Sequence, residues 1–163
     1  FSQRIMLISE FTDGMRRIVY PVCIASAASN KANTAITVSS VTSVSIDPPT
    51  LLVCINSSSS MSNSMKKDKF VNISFLNYNQ HGLASICSNK YLAEKRFDSD
   101  DWLYDKNRTP YVKDSEMVAF CMVSKIIEFA THQVAFLSVE NVKCSQNIQP
   151  EPLLYQNGKY CKI

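Results

Sequence analysis

Runs of β-branched and aliphatic residues, separated by short polar turns, dominate this chain. Composition typical of β-strands occurs in residues 18–26, 34–45, 50–56, 70–75, 116–129 and 133–144, and residues 34–45 alternate hydroxyl with aliphatic side chains. Helical segments do not alternate with these runs, so the βαβ units of a parallel sheet are not indicated. The pattern predicts a mainly β, antiparallel fold, and closure of the sheet into a barrel is the simplest way to remove its exposed edges.

The remaining segments predict short peripheral helices and turns. Apolar residues three or four positions apart predict a helix within the first 17 residues, and residues 65–69 and 80–88 predict shorter ones. Asp47-Pro48-Pro49 ends a strand, because proline cannot donate to the ladder. The charged residues 89–114 predict a long excursion over the surface, and residues 153–160 close the chain. We expect residues 1–163 to form one domain.

Scarce residue types exclude several functional classes. The three glycines are isolated from one another, whereas a dinucleotide fingerprint or a P-loop needs them clustered where backbone approaches phosphate. With only His81 and His132 and no Cys-x-x-Cys pair, we expect no metal site. A net charge of +3 without a basic stripe does not indicate nucleic-acid binding. The longest uncharged stretch, residues 48–65, is interrupted by serines and predicts no membrane span.

The six cysteines lie mostly inside apolar runs, as Cys54 and Cys121 illustrate. Free cysteine in such a context packs as a small apolar side chain, so we expect buried thiols without disulfides. Free thiols favour a reducing compartment, and we expect a cytoplasmic location.

Two clusters of hydroxyl residues flank the buried strand at residues 50–56. The first alternates with aliphatic residues from Thr37 to Ser45, and the second is the run Ser57 to Ser60. Strand hydroxyls ordinarily face water, so a solvated edge is one interpretation. Serines that lead into a helix start also offer N–H groups, hydroxyls and a positive dipole end, which together could hold a phosphate. A flat ring system attached to that phosphate would then lie along the first cluster.

Several segments resemble the short-chain flavin reductases, which have an FMN-binding split barrel and serve as the reductase components of two-component flavin monooxygenases. The matching segments are residues 37–49, 51–56 and 70–73, Arg96-Phe97, Trp102, His132 and residues 152–160. The resemblance implies a split β-barrel and a homodimer with flavin bound near the subunit interface. It also implies reduction of FMN, or of FAD, by NADH or NADPH, and a separate monooxygenase or other electron acceptor as partner.

The resemblance further implies a role for individual residues. Those implied to line the isoalloxazine edge are Thr37, Val38, Ser39, Ser40, Ser43 and Val44. Those implied to take the ribityl chain and phosphate are Cys54, Asn56, Ser57, Ser58 and Ser60. Arg96 and Phe97 match residues that close over the flavin. His132 matches a histidine that faces the nicotinamide, where a neutral imidazole could hydrogen-bond the carboxamide.

Some positions depart from the family pattern: Ala35 stands where the family has Gly, Ser39 where it has Asn, Ser57 where it has Arg, and Ala130-Thr131 where it has Gly-Asp. The change at Ser57 implies that a charged phosphate contact is lost or has moved to Lys66 or Lys67. The changes before His132 leave open a flavin-binding module of the same fold without reductase activity. A related split barrel acting on pyridoxamine phosphate or haem is a third reading, disfavoured because those relatives lack the run at residues 43–49.

Overall fold

The computed structural model describes residues 1–163, whose strands form three antiparallel sheets of seven, three and two strands. The strands are β1 (Tyr20–Pro21), β2 (Cys23–Ala27), β3 (Thr34–Val38), β4 (Val41–Ile46), β5 (Pro49–Asn56), β6 (Phe70–Phe75), β7 (Trp102–Tyr104), β8 (Pro110–Val112), β9 (Met117–Phe129), β10 (His132–Cys144), β11 (Leu154–Gln156) and β12 (Lys159–Cys161). The helices are α1 (Ser2–Met15), α2 (His81–Ser88) and the 3-10 helices Ser60–Asn63, Tyr78–Gln80 and Lys90–Lys95.

The seven-stranded sheet has the order β3-β2-β6-β9-β10-β5-β4, so its two edge strands are consecutive in the chain. Ser39 and Ser40 join these edges, and β3 also contacts β5, which closes the sheet on itself. The Ser40 hydroxyl donates to the carbonyl of Cys54 at 2.8 Å and accepts from its N–H at 3.3 Å. The prediction of a barrel is confirmed. The single strand predicted at residues 34–45 is wrong, because the chain turns this corner between β3 and β4.

Strand β2 lies between two hydrophobic clusters, and all its residues are buried. Cys23, Ala25 and Ala27 face the barrel interior, together with the branched side chains of the neighbouring strands. Ile24 faces the other way, into a second cluster that contains Leu83 of α2 and Trp102 of β7. One barrel wall is therefore covered on its outside by α2 and the β7–β8 hairpin, and the opposite wall is not.

The surface excursion predicted for residues 89–114 is wrong in its middle part. Arg96 and Trp102 are buried, and the indole N–H of Trp102 donates to the Arg96 carbonyl at 2.7 Å. The Phe97 and Trp102 rings lie 4.5 Å apart between centroids. These contacts draw a segment with a charged sequence down onto the barrel wall.

Other local predictions have mixed outcomes. The helix predicted at residues 65–69 is wrong: the helical turn is Ser60–Asn63, and Met65 is buried in the core. The helix predicted within the first 17 residues is confirmed as α1, which buries none of its side chains. Strands β2 and β3 pair in antiparallel fashion as a hairpin. The closing run forms the β11–β12 hairpin, whose turn residues Asn157 and Gly158 both have positive φ, as a two-residue hairpin turn requires.

The thiols follow the prediction of burial only in part. Cys23, Cys87 and Cys121 are buried and Cys144 is exposed, so the prediction is wrong for Cys144 at the end of β10. Burial raises the pKa of Cys87 and of Cys121 to about 12 and that of Cys23 further. None of the helices combines the length and the apolar character that crossing a bilayer requires.

Candidate functional site

The β3–β4 corner and strand β4 present an open sheet edge. Strand β4 pairs only with β5, so the backbone groups along its other side have no ladder partner. The register shifts between Ser43 and Ser45, which leaves Val44 as an extra, unpaired residue, 49% exposed. Such a bulge bends the strand and re-aims its side chains. Ser43 and Val44 are thus exposed at the open edge of β4.

Thr37 and Val38 use their side chains for packing. The Thr37 hydroxyl donates to the carbonyl of Ala84 in α2 at 2.6 Å, and Val38 is buried in the barrel core. Any contact of these two residues with a ring edge therefore comes from their backbone groups. Ser39 is half-buried and Ser40 is exposed, and the Ser40 hydroxyl ties the corner to Cys54.

The loop after β5 has a defined shape. The Asn56 side-chain oxygen accepts hydrogen bonds from the N–H of Ser58 at 3.0 Å and from its hydroxyl at 2.8 Å. The N–H of Ser57 donates to the carbonyl of Thr131, at 3.0 Å, in the turn between β9 and β10. Ser59 has a buried hydroxyl without a hydrogen-bond partner. The loop is thereby fastened to the neighbouring hairpin and keeps the exposed hydroxyl of Ser58 at the surface.

Arg96 carries the strongest electrostatic feature of the site. It is only 6% exposed; Nη1 donates to the carbonyl of Ala35 at 2.6 Å and Nη2 to that of Asn89 at 3.2 Å. Nη1 also lies 3.5 Å from the Ser60 hydroxyl, and buried Nε has no partner. The one ion pair of the structure joins Lys113 and Asp100, so no carboxylate neutralises this guanidinium.

A cleft of about 610 Å³ opens beside this guanidinium. Its lining includes Thr34, Ser60, Arg96 and Phe97, and the Thr34 hydroxyl donates to that of Ser60 at 3.2 Å. A buried positive charge costs free energy unless an anion pairs with it, and guanidinium groups bind phosphate through short charge-assisted hydrogen bonds. The donor set of hydroxyls and an unpaired guanidinium therefore fits the phosphate of a flavin nucleotide.

His132 begins β10 and lies directly opposite Asn56 of β5 and Phe129 of β9. Residues that are opposite one another in a sheet point to the same face, so the imidazole lies beside the loop after β5. Its Nδ1 is 2.8 Å from the Thr131 hydroxyl, and the ring is exposed. The hairpin turn that carries His132 is the one fastened to Ser57.

The outer face of β5, β10 and β9 is apolar next to this histidine. In the strand register, Cys54 lies opposite Val134 and Val134 opposite Ile127, while Leu52 lies opposite Phe136. Their neighbours along the strands, such as Val53 and Ala135, point into the barrel. Phe129 at the end of the face is 75% exposed. We call this surface the β5–β10–β9 outer face.

The structure brings the sequence-predicted residues together in three groups. At the cleft are Ser60, Arg96 and Phe97; at the end of β5 are Asn56, Ser57, Ser58 and His132; at the corner and edge are Ser39, Ser40, Ser43, Val44 and Cys54. The side chains of Thr37 and Val38 join none of them. Four further residues of the site are not predicted by the sequence: Thr34, Asn63, Ser64 and Thr131. Asn63 and Ser64 lie in the polar segment that continues the serine run, and this position in the sequence could have indicated them.

Comparisons with known proteins identify the family. Residues 15–163 match the profile of the family described as flavin reductase like domain. The reductase component of the FADH(2)-dependent resorcinol hydroxylase of Rhizobium sp. strain MTP-10005 is 31% identical over 155 residues, covering 93% of this chain and 84% of that protein. An FMN reductase (NADH) of Ancylobacter novellus is 28% identical over 151 residues, covering 93% and 82%. The solved flavin reductase domain protein from Arthrobacter sp. FB24 shares the fold, with a TM-score of 0.86, 22% identity and coverage of 95% and 94%.

Proposed function

The chain belongs to the flavin reductase like domain family, and from that membership we propose that it is an NAD(P)H:flavin oxidoreductase that reduces bound FMN or FAD. The observation that carries the proposal is the buried Arg96, whose guanidinium lacks a carboxylate partner and lies beside Ser60 at a cleft. Relatives named as an FMN reductase (NADH) and as a hydroxylase reductase component support the same activity.

In this proposal the chain's own residues hold the flavin by its phosphate and by one ring edge. Arg96 and the hydroxyls of Ser58 and Ser60 bind the phosphate, because charge-assisted hydrogen bonds are the strong ones. Ser40 and Cys54 fix the corner, so that the open edge of β4 faces the ring at a constant position. Phe97 lies in the lining of the cleft, just after the 3-10 helix Lys90–Lys95.

When bound, a flavin would supply the acceptor for a hydride from a nicotinamide stacked on its ring, so the protein has to supply position rather than a nucleophile or paired carboxylates. In this proposal His132 helps to position the nicotinamide. When the Thr131 hydroxyl donates to Nδ1, the proton of the neutral imidazole is on Nε2, which is then the free donor toward the nicotinamide carboxamide. In that tautomer His132 would orient the nicotinamide and leave the hydride transfer to the two cofactors.

We further propose a homodimer that uses the β5–β10–β9 outer face. Ile127 is 41% and Phe129 75% exposed, and large apolar patches of this kind mark interaction surfaces. A second copy on this face would lie next to Cys54 and His132, which would put the flavin near the subunit interface. Sedimentation velocity tests this: Phe129→Glu should convert the dimer to monomer, whereas Phe70→Glu, an exposed phenylalanine on β6, should leave it dimeric.

The electron acceptor in this proposal is a separate protein. The relative named as a reductase component of a hydroxylase supports such a division of labour. A single domain over residues 1–163 and a cytoplasmic location are also part of the proposal. The free thiols of Cys23, Cys87 and Cys121 support the location.

Steady-state oxidation of NADH, followed at 340 nm with added FMN or FAD, tests the function. We expect turnover that requires both the protein and a flavin, and a parallel assay with NADPH ranks the two nicotinamides. Flavin binding without any NAD(P)H oxidation would contradict the reductase and leave the flavin-binding module. Absence of flavin binding would contradict both readings.

A further inference from the structure

A groove made of neighbouring hollows leads away from the Arg96 cleft, around the β2–β3 turn at residues 28–33, to Tyr104 and Arg108. Three adjoining hollows of about 610, 280 and 720 Å³ make up this groove, and Ser29 and Asn30 line all three. Asn107 lines the second and the third hollow. We call it the 28–33 groove. Its volumes are of the size that small-molecule ligands occupy, roughly 300–1,000 Å³.

The lining of the 28–33 groove has the chemistry of a nucleotide site. Four asparagines contribute amide donors and acceptors: Asn30, Asn33, Asn63 and Asn107. Asparagine amides match the hydrogen-bonding edge of adenine, which offers one donor next to one acceptor. The basic side chains are Lys31, Lys69, Arg96 and Arg108, against the single carboxylate of Glu94. The positive charge suits phosphate groups and the amides suit a base.

Tyr104 offers an aromatic surface at the far end of the groove. It is 52% exposed, and its hydroxyl accepts a hydrogen bond from the Asn33 amide at 3.4 Å. It ends strand β7, opposite the buried Pro110 of β8. An exposed ring held at both its backbone and its hydroxyl can stack on a base without losing much conformational freedom.

The groove wall around Tyr104 is preformed. One Asp105 carboxylate oxygen accepts from the N–H groups of Asn107 at 2.8 Å and Thr109 at 3.0 Å, and the other accepts from the amide of Asn72 at 3.0 Å. Asn72 is buried in β6, so these bonds anchor the β7–β8 loop to the barrel. A preformed site binds with a smaller ordering cost.

We propose that the 28–33 groove binds the adenylate half of FAD, and that this chain therefore binds FAD more tightly than FMN. The inference rests on the proposed function, because it takes Arg96 to hold the flavin phosphate. An adenylate joined to that phosphate leaves the Arg96 cleft through the groove, since the cleft is the first of its three hollows. NADH carries an adenylate too, so the test must separate the two sources.

Isothermal titration calorimetry with FMN and with FAD, on the full chain, tests the proposal. The wild type should bind FAD at least tenfold more tightly than FMN. Tyr104→Ala should weaken FAD about tenfold, as loss of one base–aromatic stack does, and change FMN less than twofold. Tyr91→Ala is the matched control, since Tyr91 is 85% exposed and outside the groove. Tyr104→Leu keeps the bulk of the side chain and should weaken FAD as well.

Each contrary result has a distinct meaning. Equal affinity of the wild type for FMN and FAD, or an equal effect of Tyr104→Ala on both, would overturn the groove assignment and leave the flavin site intact. A higher KM for NADH in Tyr104→Ala with unchanged FAD affinity would assign the groove to the nicotinamide dinucleotide and overturn it for FAD. Failure of the wild type to bind either flavin would refute the proposed function itself.

Discussion

Replacement of Arg96 by methionine separates the role of the guanidinium in binding flavin from its role in the fold. Methionine fills a similar volume but removes the charge and all five donors. In the flavin-free protein two effects oppose each other. The carbonyls of Ala35 and Asn89 lose their partners, while the cost of burying an unpaired charge disappears. We therefore expect the flavin-free melting temperature to change by only a few degrees.

The flavin-bound protein should respond much more strongly. At an FMN concentration of 100 times the wild-type Kd, binding stabilises the protein by about 2.7 kcal/mol, or roughly 5–10 °C for a domain of this size. Two charge-assisted hydrogen bonds from Arg96 to the phosphate contribute about 3 kcal/mol, so their loss raises Kd about 100-fold. At the same FMN concentration Arg96→Met then gains only about 0.4 kcal/mol, or roughly 1–2 °C.

Thermal unfolding followed by circular dichroism, with and without FMN, measures this difference. Arg4→Met is the control, because Arg4 is exposed on α1 and should keep the full shift. Arg96→Lys keeps the charge without the planar fork and should give an intermediate shift. An Arg96→Met protein that retains the full FMN-induced shift would refute the assignment of the phosphate to Arg96.

Three further predictions test other parts of the site and the core. His132→Ala should raise the KM for NADH about tenfold and leave the Kd for FMN unchanged, because only the nicotinamide carboxamide loses a hydrogen-bond donor. His81→Ala is the control. An unchanged KM for NADH in His132→Ala would count against the contact between His132 and the nicotinamide. Ser58→Asp should abolish flavin binding, because its carboxylate repels the flavin phosphate, whereas Ser58→Ala should keep most of the binding. If Ser58→Asp purifies with full flavin absorbance, the phosphate binds elsewhere. Burial raises the pKa values of Cys23, Cys87 and Cys121, so the folded state keeps thiol protons that the unfolded state loses above about pH 9. The free energy of unfolding should therefore fall as the pH rises above about 9, by about 1.4 kcal/mol per pH unit for each buried thiol. Urea titrations at pH 8.5 and 10.5 measure this, and equal stability at both values would contradict the burial of Cys23, Cys87 and Cys121.

The long strands could be predicted from the sequence because their pattern is local. Residues 116–129 and 133–144 are long runs rich in apolar residues, and they form β9 (Met117–Phe129) and β10 (His132–Cys144) within one residue of the expected bounds. The run of hydroxyl and aliphatic residues at 34–45 also continues past Ser39 and Ser40, with no proline or glycine to mark the corner. The break there depends on hydrogen bonds from Ser40 to Cys54, 14 residues away, which no local pattern contains.

The site shows the same division between local and long-range causes. Resemblance to a family indicated Arg96 and His132, and the structure places them at a cleft and beside Asn56. Burial of Arg96 depends on the carbonyl of Ala35, 61 residues away, so its charged neighbours in the sequence suggested a surface loop instead. The side chain of Thr37 was expected at a ring but bonds to α2, because the sequence does not say which strand face a helix covers.

The anaerobic visible spectrum of the protein, reconstituted with flavin and then mixed with NADH, tests the central claim most directly. If the chain reduces a flavin held by Arg96, Ser58 and Ser60, the bands of the oxidised flavin should appear on binding and bleach rapidly after NADH is added. Flavin bands that persist after both NADH and NADPH would contradict the reductase, and a protein that binds no flavin would contradict the site as a whole.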